Sequence, residues 1–255
     1  MPRVTSRDGT SIAYDRQGAG PPVILVGGGL DDGSESAPLA TELADRFTVY
    51  NYARRGRGQS GDTSPYAVER ELEDLAALIG EAGGSAGVYG VSSGGMFALE
   101  AAAAGLAIQR LAVYEVPYDV GPEAPQRNQA YRERLRGLLA QSRRGDAVEL
   151  FMRLAGSSDE DVAGARRSPH WPELERLAHT LAYDAACYGP PPVDRLATVT
   201  QPTLVLTGGG AEFFELAADA VAAAVPGAER VVLEGQGHVA DPKAVAAALG
   251  RFLGG

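Results

Sequence analysis

Val88-Tyr89-Gly90-Val91-Ser92-Ser93-Gly94-Gly95 is the stretch that decides the fold. An apolar, β-branched run ends there, two glycines bracket a serine, and an alanine-rich run from Met96 to Ala104 follows at once. That order predicts a strand, a sharp turn and a helix, with Ser92 at the apex of a Gly-x-Ser-x-Gly pattern. Gly90 and Gly94 let the chain pass close to its neighbours without a Cβ in the way. The Ser92 hydroxyl is then exposed, and the N–H of Ser93 opens a helix whose positive end stabilises an anion. A serine hydroxyl is a poor nucleophile until a base stands within hydrogen-bond reach. A Gly/Ser-rich turn without chemistry has the same local composition, so the order of the surrounding elements must decide.

Working outward, alternation from Thr10 to Tyr14 predicts an opening strand, and Gln17 to Pro22 a turn into the fully apolar strand Val23 to Val26. A continuous apolar run suits a strand covered on both faces, hence a parallel central sheet. The loop Gly27-Gly28-Gly29-Leu30, a helix through Ala44 and a strand from Phe47 to Tyr52 follow. Glu69 to Ile79 has helical periodicity, and Leu111 to Val116 reads as the strand after the Ser92 helix. From Tyr118 to about Thr200 no strand is convincing. Helices are expected at Arg132 to Leu139, Ala147 to Leu154 and Leu174 to Ala186. Alternation resumes with Thr203 to Thr207, a helix through Ala224, Arg230 to Leu233, the loop Glu234-Gly235-Gln236-Gly237-His238 and a helix from Lys243. The expected fold class is α/β: a doubly wound, mostly parallel sheet flanked by helices. Residues 1–117 and 201–255 form its core, and 118–200 a helical cap inserted after the sixth strand.

A chain of 255 residues accommodates one sizeable core with an insertion. Its net charge of −10 argues against nucleic acid or an anionic membrane surface as a partner. Nothing in the N-terminal residues resembles a signal peptide, and no segment has the apolar length of a membrane span. A single cysteine, Cys187, excludes an internal disulfide and a Cys-based metal cluster. A cytoplasmic setting is expected, with Cys187 acting as a small buried apolar residue. No His-x-x-x-His, acid cluster or dinucleotide fingerprint is present, so no metal and no cofactor is expected. The expected partner is a small-molecule substrate, and a homodimer is left open.

Five motifs stand in a telling order: Pro21 to Gly28, Tyr52-Ala53-Arg54-Arg55-Gly56-Arg57-Gly58-Gln59-Ser60, Gly90 to Gly94, Pro202 to Leu206 and Gly235 to His238. On these the chain resembles the α/β-hydrolase family over nearly its whole length. The resemblance implies a chain order of serine, acid, histidine, met here by Ser92, one of several acids, and His238. A neutral imidazole takes the serine proton and later returns it. His170 and His179 fall in the cap region, where structural or pocket-lining roles are expected.

The acid is open among three residues. In many relatives it follows the seventh strand, where this chain has Ala211 with Glu212 one place late. In haloalkane-dehalogenase-like members it follows the sixth strand, where this chain has Glu115. Glu115 is the lone acid in an apolar strand end, and a buried carboxylate without a partner is costly. It is the first choice, ahead of Glu212 and Asp119, although an arginine or backbone N–H groups would satisfy it equally. The implied oxyanion hole is the N–H pair of Gly29 and Ser93.

Two departures from the family stand out. Gly27 replaces a customary histidine, which is expected to leave the hole less braced. Ala53 replaces a common aspartate, which is expected to leave nearby arginines or backbone donors unpaired, or to make room for a substrate group. Arg54, Arg55 and Arg57 are read as turn-bracing. Leu30, Met152, Trp171, Tyr183 and Tyr188 are assigned to an apolar substrate pocket, with the cap's own core as the alternative place for each of the last four.

The leading functional expectation is a serine hydrolase acting on an ester, lactone, thioester or related carbonyl of an apolar small molecule. The alternatives are a cofactor-free cyclase, lyase or isomerase using the same pocket, and a ligand-binding inactive relative. A dehalogenase or epoxide hydrolase is disfavoured, because both usually carry aspartate where Ser92 stands.

Overall fold

The structure is a computed structural model and describes residues 1–254. Eight strands form one sheet: β1 (Arg3–Thr5), β2 (Ser11–Gln17), β3 (Pro22–Val26), β4 (Thr48–Tyr52), β5 (Ala86–Val91), β6 (Ile108–Tyr114), β7 (Thr203–Gly209) and β8 (Glu229–Gln236). Their spatial order is β1-β2-β4-β3-β5-β6-β7-β8, with β1 and β2 antiparallel to their neighbours and every pair from β4 onward parallel. The inner strands are apolar throughout because helices cover both faces. Val23 to Val26, Val49 and Tyr50, and Leu111 to Val113 are all buried. The short β1, which composition does not announce, is held by pairing of Arg3 to Thr5 with Ser11 to Ala13.

The chain leaves β3 for β4 on one side, and β5 then pairs with β3 on the other. The strand order therefore reverses beside β3, and a crevice opens past its carboxyl end. On the sheet's faces lie α1 (Ala37–Leu43), α2 (Val68–Glu81), α3 (Ser93–Ala103), α10 (Glu212–Ala224) and α11 (Pro242–Leu253). Nearly all of α3 is buried, as its lack of a polar face requires. By contrast α2 is amphipathic, burying Leu75, Leu78 and Ile79 while also turning Glu71 and Asp74 inward.

Between β6 and β7 lies a helical insert: α4 (Ala124–Ala140), α5 (Arg144–Leu154), α6 (Asp159–Arg166), α7 (Trp171–Leu177), α8 (Leu181–Ala185) and α9 (Val193–Leu196). The single helix expected over Leu174 to Ala186 is in fact α7 and α8 joined by a 3₁₀ turn at Ala178–Thr180. That turn tightens where Thr180 Oγ1 donates to the Leu177 carbonyl at 2.7 Å and so competes with the α-helical ladder. Among the described residues no helix is long and apolar enough to cross a membrane.

Candidate active site

The carboxyl ends of β3, β5 and β6 meet at the crevice, and each turns through a residue in the left-handed region. Leu30 has φ of 60°, Ser92 54° and Glu115 46°, and the one other such non-glycine residue, Ser142, lies in a turn of the insert. Left-handed backbone is unfavourable for L residues and persists only where surroundings impose it, typically at functional sites. At Ser92 the imposing contacts are visible. Its N–H donates to the Tyr114 carbonyl at 2.9 Å, and its own carbonyl accepts from Gly95 N–H at 2.9 Å. A Cβ on Gly94 would stand 2.2 Å from the Val26 carbonyl oxygen, so only glycine lets α3 start this close to β3.

Glu115 and His238 come together although 123 residues separate them. His238 Nδ1 lies 2.7 Å from Glu115 Oε2. The other carboxylate oxygen, Oε1, accepts from the Gly208 N–H at 3.0 Å. Glu115 is buried while the imidazole is 42% exposed, so the carboxylate orients the ring from inside. The loop carrying the histidine is tied down by Tyr114, whose hydroxyl donates to the Gly237 carbonyl at 2.6 Å. Of the other two acids, Asp119 pairs with Arg127 at 2.7 Å and Glu212 is exposed at the start of α10. Among the described residues Ser92 makes no hydrogen bond to the His238 ring, and the serine–histidine link is the one member contact left open.

The glycine loop after β3 lies against Ser92. A Cβ on Gly28 would stand 3.2 Å from Ser92 Cβ, and one on Gly29 would meet the Phe151 ring at 3.1 Å and Asp184 Oδ2 at 3.5 Å. The loop is braced, contrary to expectation. Asp31 Oδ2 occupies the space where a side chain at position 27 would begin, 2.3 Å from an added Cβ. Asp31 accepts from Gly33 N–H at 2.7 Å, Glu35 N–H at 3.1 Å and Ser36 Oγ at 3.2 Å. Burial pushes its carboxyl up against those bonds. Burial likewise pushes up Glu35, which lies within electrostatic reach of His238.

The arginines after β4 are also paired, which corrects the expectation drawn from Ala53. Arg54 donates to both oxygens of Glu71 at 2.7 Å and to Asp184 at 2.9 Å, with longer contacts to the Gly27 carbonyl (3.3 Å) and Ser93 Oγ (3.4 Å). Its guanidinium also lies 4.1 Å over the Phe97 ring. Arg55 pairs with Asp74 and Asp8. Arg57 grips both oxygens of Asp184 at 2.9 and 2.8 Å and reaches Thr180 Oγ1 at 3.1 Å, while its Nη1 is a buried nitrogen without a partner among the described residues. Burial alone would raise the Asp184 pKa, but Arg57 and Arg54 outweigh it and hold the carboxyl below its ordinary value.

Asp184 belongs to α8 and thus pins the insert to the core behind the glycine loop. Nothing in the family motifs marks it. A lone acid inside the apolar run Leu181 to Ala186 is nevertheless the same signal that marked Glu115.

Of the expected pocket residues, Leu30 closes the glycine loop, and Met152 packs half-buried against the main core on α5 beside Phe151. Tyr183 stacks on Tyr66 (ring centroids 3.9 Å apart) and donates to Asp62 at 2.8 Å, along the seam between insert and core. Trp171 is buried within the insert, its ring N–H on Glu175 at 3.0 Å. Tyr188 is buried against Tyr131 and lines a cavity of about 640 Å³ between α2, α3 and the end of the insert, with Cys187. His170 bonds locally to Glu173 at 3.2 Å, while His179 reaches Asp62 at 3.3 Å across the same seam between insert and core. The aromatic that faces the candidate histidine is Phe214, whose ring is parallel to the imidazole within 7° at a centroid distance of 4.7 Å.

Comparison with known proteins finds the same fold. The profile of the Alpha/beta hydrolase family matches residues 23–248. A crystal structure of an alpha/beta hydrolase from Sphaerobacter thermophilus DSM 20745 is 50% identical and superimposes with a TM-score of 0.91, covering 98% of this chain and 99% of that one. A thermophilic esterase from Thermogutta terrifontis is 26% identical with a TM-score of 0.74, over 99% and 97% of the two chains. The enol-lactonase from Burkholderia xenovorans LB400, 23% identical with a TM-score of 0.72 over the full length of both chains, shares the fold. The uncharacterized hydrolase YraK of Bacillus subtilis (strain 168) is 34% identical over 96 residues, a match spanning 36% of this chain and 35% of that protein.

Proposed function

Because this chain belongs to the alpha/beta hydrolase family, we propose that it is a serine hydrolase cleaving an ester, lactone, thioester or related carbonyl bond of an apolar small molecule. The single observation that carries this reading is the Glu115–His238 contact of 2.7 Å beside a serine on a strained turn. Ser92 Oγ attacks the carbonyl carbon as His238 Nε2 takes its proton, and Nδ1–H stays on Glu115 Oε2 as the ring becomes cationic. The N–H groups of Gly29 and Ser93 hold the developing oxyanion. His238 then returns the proton to the leaving group. Water, deprotonated by the same nitrogen, attacks the acyl carbonyl and frees Ser92.

Buried Glu115 suits the role because a carboxylate there stabilises the imidazolium without competing for solvent. The open Ser92–His238 link fits a resting enzyme, since catalytic hydrogen bonds often tighten only with substrate bound. Phe151 against Gly29, with Leu30 and Met152 nearby in sequence, supports an apolar acyl or alcohol group.

The test is turnover of a panel of short-chain p-nitrophenyl esters and of simple lactones by wild type, Ser92→Ala and His238→Ala. Hydrolysis by the wild type, lost by at least about 10³-fold in either variant, is expected. Unchanged turnover in Ser92→Ala removes Ser92 as the nucleophile and overturns the reading.

A further inference from the structure

The hydrogen bond to Glu115 fixes one edge of the His238 ring but leaves the plane free to turn about that bond. Tyr114 holds the loop backbone at the Gly237 carbonyl, but that bond does not reach the ring. Gly237 precedes the histidine, and Val239 after it is 90% exposed. What does define the plane is Phe214, parallel to the imidazole within 7° at 4.7 Å. Phe213 in turn meets the Phe214 ring edge-on at 5.2 Å, an orientation that aromatic pairs favour. Both rings sit in the first turn of α10. That helix is anchored by buried Ala217, Ala218 and Val221, and by Glu215, which accepts from the Gly209 N–H at 3.2 Å and pairs with Arg230 at 2.5 Å. The platform under the imidazole is therefore carried by a helix that is itself seated on the core.

From this geometry we infer that Phe214 is a positioning residue for His238. Its ring clamps the imidazole plane so that Nε2 addresses Ser92 while Nδ1 stays on Glu115. The same ring face lies against the positive charge the imidazole gains on taking the serine proton, a cation–π contact. One face of a ring that is otherwise 42% exposed is also closed to water. The turn at Ala211, where relatives of this fold commonly carry the acid, thus supports the same histidine by an aromatic surface. The inference rests on the serine-hydrolase reading for its kinetic part and on the ring stack alone for its structural part.

The test compares Phe214→Leu and Phe214→Tyr with Leu216→Ser, an exposed position on the same helix. The chain has three histidines, so the His238 ring protons are assignable by NMR against His238→Gln. In the wild type they are shielded by the Phe214 ring current. They move downfield in Phe214→Leu and stay in place in Phe214→Tyr and Leu216→Ser. The rate of fluorophosphonate labelling, and kcat for an ester, fall about three- to tenfold in Phe214→Leu. Loss of the cation–π contact alone accounts for about two- to fivefold, and loss of orientation for the rest. KM is unchanged, and Phe214→Tyr restores kcat to within about twofold.

Unshifted His238 protons in Phe214→Leu overturn the clamp whatever the activity. A wild-type labelling rate in Phe214→Leu overturns its kinetic part, and a fall equal in Phe214→Tyr and Phe214→Leu points to mere packing and overturns it too. If the wild type takes no adduct, the hydrolase reading fails by itself, and the ring-proton shift alone then decides the clamp.

Discussion

Asp184→Asn tests how the helical insert is held over the candidate site. The Asp184 carboxylate is fully buried and accepts from Arg57 through both oxygens and from Arg54 through one, at 2.8 to 2.9 Å. Asparagine keeps the shape but removes the charge, and its amide N–H₂ points a donor at a guanidinium that is itself all donors. Arg54 retains Glu71, whereas Arg57 is left with Thr180 as its side-chain partner among the described residues. Removing one member of a buried ion pair costs about 3–5 kcal/mol, chiefly because the remaining charge is buried and uncompensated. Since Asn still offers one carbonyl oxygen, the low end, about 3 kcal/mol, is expected. For a chain of this size that lowers the melting temperature by roughly 6–12 °C.

Urea and thermal unfolding of the variant beside Asp119→Asn check the magnitude. Asp119 pairs with Arg127 on the surface, where solvent screens the pair, and its loss leaves the midpoint in place. A loss below about 1 kcal/mol in Asp184→Asn refutes the claim that this cluster pins the insert.

The same carboxylate sets part of the acid response. Its folded pKa lies below its unfolded value, so its contribution is full above about pH 4 and is lost as pH falls through the folded pKa. Asp184→Asn should therefore be less stable than wild type at pH 7, with a shallower decline in urea midpoint between about pH 4 and pH 2; an identical decline contradicts this. Glu115→Gln should lower kcat for ester hydrolysis by about 10²- to 10⁴-fold through loss of imidazolium stabilisation, with KM nearly unchanged; a similar loss in Glu212→Gln and none in Glu115→Gln moves the acid to α10. Gly28→Ala brings a methyl to 3.2 Å from Ser92 Cβ. It should lower kcat by at least about tenfold with little change in melting temperature, whereas Gly94→Ala, which collides with two backbone carbonyls, should lower both.

Much of this was legible in the residues. Val88 to Gly95 announces strand, turn and helix because glycine spacing and an apolar run have few other solutions, and Glu115 is conspicuous as an acid among buried apolar neighbours. The paired charges behind the glycine loop were less legible. Arg54 meets Asp184 130 residues away, and no local pattern reports that two distant segments supply each other's counter-charge. The absence of aspartate at Ala53 suggested unpaired arginines, because a missing local partner is visible in sequence while a remote one is not. Asp31 similarly takes up the space beside Gly27 from four residues on. The helix expected from Leu174 to Ala186 breaks because Thr180 bonds back to Leu177, a competition that periodicity does not register. Phe214 reads as one of two adjacent aromatics on a helix, and only the fold aims it at His238.

The central claim is that Ser92 is an activated nucleophile, and intact-mass analysis after incubation with a fluorophosphonate tests it most directly. The wild type is expected to gain the mass of a single phosphonyl group. Ser92→Ala, folded by circular dichroism, is expected to gain none, and His238→Ala to react far more slowly. A folded wild type that takes no adduct, or a Ser92→Ala variant that takes it as readily, contradicts the assignment.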